Sequence, residues 1–261
     1  MSVRSTAPVG APCWVDLMSS DRAGARTFYP QLLGWEAEEP APEFGGYFNF
    51  TRNGVRVAGC MASQPDAQVR ERWSIYLATD DAAKTFDAAT SNGGSVALPV
   101  HPVADLGKMA FVVDPGGSVV GMWEPGSHPG FGLVAEHGAP SWFELTTGAY
   151  DRVVAFYRDV FRWDTQVLSD TPEFRYTTLV HGGEPLAGIH DAAGLPGAAP
   201  TGWSVYFGND DTDASLEALV KLGGRVLRPA EDTPYGRMAT VTDPAGATFK
   251  LVAPNAQMPA R

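Results

Sequence analysis

The sequence predicts an α+β protein of two tandem modules, each made of two units that join a strand, a helix and a hairpin. Two observations predict this class. An internal repeat of about 129 residues runs the length of the chain, and both copies show strand-type and helix-type hydrophobic periods in the same order. Trp14-Val15-Asp16-Leu17, Phe28-Tyr29 and Leu33-Gly34-Trp35 recur as Trp142-Phe143-Glu144-Leu145, Phe156-Tyr157 and Phe161-Arg162-Trp163. Trp73-Ser74-Ile75-Tyr76 with Asp80-Asp81 recurs as Trp203-Ser204-Val205-Tyr206 with Asp210-Asp211. Gly93-Gly94 recurs as Gly223-Gly224, and Gly107-Lys108-Met109 with Asp114-Pro115 as Gly236-Arg237-Met238 with Asp243-Pro244. So many rare residues in one order mark a duplication.

Each element follows from local pattern. Trp14–Met18 and Trp142–Thr146 alternate as half-buried strands do. Asp21–Leu33 and Tyr150–Phe161 carry apolar residues at helical spacing, the first closed by Gly34. Tyr47–Thr51 and Val55–Met61 form a hairpin through Asn53-Gly54, and Phe174–Val180 and Leu186–Ile189 repeat it through Gly182-Gly183. Trp73–Tyr76 and Trp203–Tyr206 alternate as a strand pair, and Asp81–Ser91 and Asp211–Leu222 are helices that end at Gly-Gly. Met109–Val113 and Val119–Trp123 make a hairpin around Asp114-Pro115-Gly116-Gly117, echoed at Ala239–Val252. Leu98–Leu106 reads as a loop that carries His101. The Gly- and Pro-rich Glu124–Pro140 is the joint. The boundaries expected are an arm at 1–9, modules at 10–125 and 138–254, a linker at 126–137 and a tail at 255–261.

Composition excludes several classes. At 44% hydrophobic and 19% charged, the 261-residue chain has the balance of a globular protein. It holds no run near the ~20 apolar residues that span a bilayer. The opening MSVRSTAPVGAP lacks the apolar core of a secretion signal, so a cytoplasmic protein is expected. Cys13 and Cys60 make neither a disulfide framework nor a four-thiolate zinc site. A net charge of -11 with no basic cluster disfavours nucleic acid and anionic membranes as partners. No phosphate loop, dinucleotide fingerprint or Gly-x-Ser-x-Gly elbow occurs.

"SSDRAGARTFYPQLLGW" and "GAYDRVVAFYRDVFRW", "YLATDD" and "YFGNDD", and "DPGGSVVGMWEP" and "DPAGATFKLVAP" resemble, in order and twice over, the glyoxalase, bleomycin-resistance and extradiol dioxygenase (vicinal oxygen chelate) superfamily. The resemblance covers nearly the whole chain and points to a two-module, glyoxalase-like branch. It implies paired βαβββ units whose mixed sheets curl around a cleft, and a divalent metal held by His and Glu. The matching ligand positions hold Trp14 and Trp142 on the first strand, and Ser74 and Ser204 on the strand that opens the second unit. On the last strand they hold Gly121 and Lys250, and on the fourth strand they fall near Gly59–Met61 and Gly188–His190. Indole and glycine do not coordinate, serine is a poor ligand and lysine repels a cation, so no metal and no other cofactor is expected. His128 and His137 read as linker residues, His181 as a turn residue, and His190 as following a strand.

The candidate acid–base residues are Asp16 and Glu144, two places after Trp14 and Trp142 and so on the same strand face. A desolvated carboxyl there suits proton transfer, while a brace bonded to a backbone N–H or an Arg is the structural alternative. Lys250 anchors an anion, pairs with Glu144 in place of metal charge, or simply points outward from its strand. Tyr76 and Tyr206, with Ser74 and Ser204, offer hydrogen bonds, and Trp123, whose counterpart is Val252, lines a cleft in the first half alone. Met18, Phe48, Phe50, Met61, Met109 and Phe111 complete aromatic and thioether walls for a flat ligand, or simply a core. The ligand-binding set is therefore Trp14, Trp142, Tyr76, Tyr206, Trp123 and Lys250. The function expected is metal-independent binding of an apolar or aromatic metabolite or antibiotic by a monomer or homodimer. The alternatives are an isomerase, lyase, hydrolase or oxygenase that uses Asp16 or Glu144, and then a metal-dependent dioxygenase or lactoylglutathione lyase.

Overall fold

A computed structural model describes residues 5–63, 71–195 and 201–258. The first four residues of the expected arm and the last three of the expected tail lie outside the described residues. The first module runs β1 (Pro12–Ser19), α1 (Arg22–Leu33), β2 (Glu36–Ala37), β3 (Phe48–Arg52) and β4 (Val55–Ala62), then β5 (Arg72–Ala78), α2 (Ala82–Ser91), β6 (Ser95–Val103), β7 (Gly107–Val113) and β8 (Val119–Pro125). The second repeats it as β9 (Pro140–Thr147), α3 (Tyr150–Phe161), β10 (Thr165–Asp170), β11 (Arg175–His181) and β12 (Glu184–Asp191), then β13 (Gly202–Gly208), α4 (Thr212–Lys221), β14 (Arg225–Thr233), β15 (Gly236–Thr242) and β16 (Thr248–Ala253). Each half is thus two βαβββ units in one eight-stranded mixed sheet, ordered β2-β3-β4-β1-β5-β8-β7-β6 and β10-β11-β12-β9-β13-β16-β15-β14.

The helices begin where the sequence supplies caps. The carboxylates of Asp21, Asp81 and Asp211 accept the N–H of Gly24, Lys84 and Ala214, which satisfies donors that the first turn leaves open. Gly34 ends α1 in the left-handed region at φ 68°, where a residue without Cβ carries no penalty.

Two readings are corrected. Leu98–Leu106 is not a loop: His101 lies within β6, opposite Met109. Pro99 and Pro102 hid this strand, and its place at the sheet edge explains why it tolerates them, since an edge strand needs only half its N–H groups. His190 lies inside β12, paired with Tyr176 and Thr146, and does not follow a strand.

The register fixes what faces what. Asp16 pairs with Gly59 and Ser74, Trp14 with Tyr76, and Tyr76 with Gly121, so all six share one sheet face. In the second module Glu144 pairs with Gly188 and Ser204, and Tyr206 with Trp142 and Lys250. The opposite faces form one core across both halves. Trp35, stacked on Tyr29 at 5.6 Å, meets Phe207 of the other module at 5.2 Å.

The motifs that reveal the repeat bind each other across it. Tyr29 Oη donates to Asp243 Oδ2 at 3.0 Å and accepts from Trp73 Nε1, while Tyr157 Oη donates to Asp114 Oδ2 at 3.1 Å and accepts from Trp203 Nε1. The joint also packs. Phe131 N–H donates to the Cys13 carbonyl and Gly132 N–H to that of Arg56, which lays His128, Phe131 and Leu133 against the first module as buried residues. Among the described residues no helix is long and apolar enough to cross a membrane.

A candidate ligand cleft in the first module

The face that carries Trp14 and Asp16 opens into a cavity of about 340 Å³. Trp14, Met61, Tyr76, Met109, Trp123 and His128 line it, with Asp16 and Tyr47 at its polar end and Phe44, His101 and Leu106 among its other lining residues. The sheet ladder aligns β1, β4, β5 and β8 here, and the joint contributes His128.

Asp16 is the hub of the polar end. Its Oδ1 accepts from Trp14 Nε1 at 3.0 Å and from Tyr47 Oη at 2.9 Å, and its Oδ2 accepts from Tyr76 Oη at 2.8 Å. Burial pushes the carboxyl up, and these three hydrogen bonds hold part of the rise back. Burial beside the carboxyl also pushes the Tyr47 and Tyr76 hydroxyls well above their ordinary value, so both stay protonated donors. The bonds shown to Asp16 among the described residues are not the backbone N–H or Arg braces expected from sequence. Two phenols and an indole make them.

The second module answers differently. Glu144 accepts from Tyr176 Oη at 3.0 Å, Tyr206 Oη at 2.9 Å and Lys250 Nζ at 2.8 Å. Burial raises this carboxyl, but the Lys250 ammonium, together with the Tyr206 hydroxyl and His190, holds Glu144 below the usual range. Lys250 also donates to Tyr206 Oη at 2.7 Å. His190 lies 5.4 Å from the Tyr176 ring, and burial lowers its imidazole.

The predicted residues therefore gather in two places. Trp14, Asp16, Tyr76 and Trp123 meet in one cavity, while Trp142, Glu144, Tyr206 and Lys250 meet in one hydrogen-bonded cluster. Met61 and Met109 line the cavity, and Phe111 packs on Tyr76 at 5.0 Å. Phe48 and Phe50 do not line it: strand alternation turns them to the other face, where Phe50 packs on Tyr29 and Trp35. Met18 shares the cavity face but is absent from the lining. Sequence reasoning missed Tyr47, Tyr176 and His128 as site residues. The two tyrosines were findable, because they recur at the spacing of the repeat.

The residues present do not fit a divalent metal. A Cβ on Gly59 would collide with Tyr47 Oη and Asp16 Oδ1, one on Gly188 with Tyr176 Oη, and one on Gly121 would lie 2.6 Å from the Tyr76 ring. Phenols and carboxyl groups thus fill the space into which fourth- and last-strand ligands would project. Among the described residues no three His, Cys, Asp or Glu side chains gather as a metal set.

Paired βαβββ modules with one cleft-bearing sheet define the class, and a family model confirms it. The description Glyoxalase/Bleomycin resistance protein/Dioxygenase superfamily matches residues 13–122 and 139–251, and the chain belongs to this superfamily. It is 35% identical over 262 residues, covering 98% of this chain and all of the other, to the candidate glyoxylase CFP32 of Mycobacterium bovis. It is 33% identical to the anthracycline biosynthesis protein DnrV of Streptomyces peucetius, over 93% of each chain. Among solved structures, the Mn(II)-bound glyoxalase from Novosphingobium aromaticivorans superposes with a TM-score of 0.65 at 17% identity, covering 94% of this chain and 82% of that one. The 2,3-dioxygenase LapB from Pseudomonas sp. KL28 gives 0.64 at 12%, over 98% of each. At these identities the structural likeness speaks for the fold.

Proposed function

We propose that the chain binds an apolar or aromatic small molecule in the first-module cavity, in the cytoplasm and without the metal typical of its superfamily. One observation carries the reading: a cavity of about 340 Å³ walled by Trp14, Trp123, Met61 and Met109 lies over ligand positions that hold indole, glycine and serine. This size and lining suit a flat ring system with few polar groups. The relative named for anthracycline biosynthesis supports the same ligand shape, since anthracyclines are flat and aromatic. The buried thiols of Cys13 and Cys60, the latter pushed up to about 12 by burial, support a structural place for both.

The test is equilibrium dialysis against the tricyclic hydrocarbon fluorene. Saturable retention of one molecule per chain is expected, weakened about tenfold or more in Trp123→Ala by loss of an aromatic wall. Retention that Trp123→Ala leaves unchanged would place the ligand elsewhere. A second reading, an isomerase, lyase, hydrolase or oxygenase, is favoured by the desolvated Asp16 carboxyl on the cavity wall. The Lys250 pairing of Glu144 makes Asp16 the better acid or base of the two. Asp16→Asn separates the readings: an enzyme keeps its ligand and loses turnover, whereas a binding protein has no turnover to lose.

A further inference from the structure

We infer that His128 is a specificity-determining residue whose Nε2–H donates a hydrogen bond to an acceptor oxygen on the ligand, which narrows the ligand class to flat apolar molecules bearing a carbonyl or similar oxygen. The inference rests on the first-module cavity being the ligand site.

Three observations carry it. The His128 ring lines the cavity, is 7% exposed, and sits edge-on to Trp14 at 4.5 Å with Trp123 at 5.8 Å. Its Nδ1 accepts the Gly130 N–H at 3.0 Å, so the proton of the neutral ring is on Nε2. That Nε2 is buried and has no hydrogen-bond partner among the described residues. Leaving such a donor unpaired costs about as much as a lost hydrogen bond, which is the condition a ligand acceptor relieves. Burial also lowers the imidazole to about 4, so the ring is neutral at pH 7.

The indole and phenol donors of the cavity are engaged elsewhere. Trp14 Nε1, Tyr47 Oη and Tyr76 Oη all point to Asp16. Trp123 Nε1 is engaged by the backbone carbonyl of His128 at 2.9 Å, a bond that also anchors the residue in place. The polar end is thus closed on itself, which leaves the two lining imidazoles, His101 on edge strand β6 and His128 packed against both indoles, and of these His128 is the buried one. A site built with one such donor rejects an isostere that lacks the matching oxygen more strongly than shape alone allows.

The test compares 9-fluorenone with fluorene, which differ by one carbonyl oxygen, in equilibrium dialysis at pH 7.5. Fluorenone is expected to bind about tenfold more tightly than fluorene, and His128→Phe to abolish that ratio whatever it does to the affinity for fluorene itself. In protein carrying ¹⁵N-labelled histidine, the His128 Nε2 resonance is expected at a protonated-nitrogen position, shifting on addition of fluorenone and not of fluorene. This second readout uses the unaltered chain and decides the matter if His128→Phe fails to fold. Equal affinities, a preference that survives His128→Phe, or a proton on Nδ1 overturns the inference while the cavity reading stands. Retention of neither probe overturns the cavity reading, and this inference with it.

Discussion

Replacing Lys250 by Met is expected to cost about 3–5 kcal/mol, the range for removing one partner of a buried ion pair. The side chains of Lys250 and Glu144 are 20% and 10% exposed, so the substitution leaves a carboxylate desolvated with only the two phenols to hold it. The pH dependence should reverse sign. In the natural chain Glu144 lies below its ordinary value, so its contribution is complete above about pH 4.5 and is lost as pH falls through the lowered folded value. Without the ammonium, burial raises this carboxyl as it raises Asp16, and the variant gains stability, relative to the natural chain, as pH falls from 7 toward 4. The double variant Lys250→Met/Glu144→Gln should recover most of the loss, because it buries no charge. Urea unfolding at pH 4 and pH 7 measures all three. A loss under 1 kcal/mol for Lys250→Met, or one equal at both pH values, would contradict the assignment.

A comparable loss is expected for Asp243→Ala, about 3–5 kcal/mol. Asp243 Oδ1 accepts the N–H groups of Gly246 and Ala247 at 2.7 and 2.8 Å, and Oδ2 accepts the Tyr29 hydroxyl of the other module. The change strips three buried or half-buried donors of their acceptor, each worth about 1–3 kcal/mol when left unsatisfied. Tyr29→Phe removes one of these bonds and should cost about 1–2 kcal/mol. The two changes combined should fall short of their sum by more than about 0.5 kcal/mol, because they share one bond. Additive losses would show that the contact between the halves carries no coupling.

Much of this fold is legible in the sequence because duplication prints each element twice. Paired Trp, Gly-Gly and Asp-Pro landmarks place the strands, and Asp21, Asp81 and Asp211 mark the helix starts by capping chemistry. The edge strands were not legible: Pro99 and Pro102 made β6 read as a loop, and β14, which carries Pro229, was not placed at all, although an edge strand tolerates proline. The Lys250–Glu144 contact was foreseeable although 106 residues separate the pair, since both stand at corresponding strand positions. His128 was not. It lies in an aperiodic Gly- and Pro-rich stretch whose burial depends on hydrogen bonds to Cys13 and Arg56, more than 70 residues away, and no local pattern records such contacts.

The two modules have kept one hydrogen-bonding plan, Trp14–Tyr47–Asp16–Tyr76 and Trp142–Tyr176–Glu144–Tyr206, and differ in how the buried carboxyl is balanced. Lys250 neutralises the second. Gly121, at the matching strand position, supplies the first carboxyl with no such ammonium, beside an open cavity. We propose that this cavity takes an organic ligand and no divalent metal of the kind named for the Mn(II)-bound glyoxalase of the same fold. Native mass spectrometry of the full chain, after equilibration with fluorenone and equimolar Mn²⁺, Ni²⁺ and Zn²⁺ and removal of the excess, tests it most directly. One fluorenone per chain and no retained divalent ion is the expected result. One metal ion per chain with no organic adduct would contradict it.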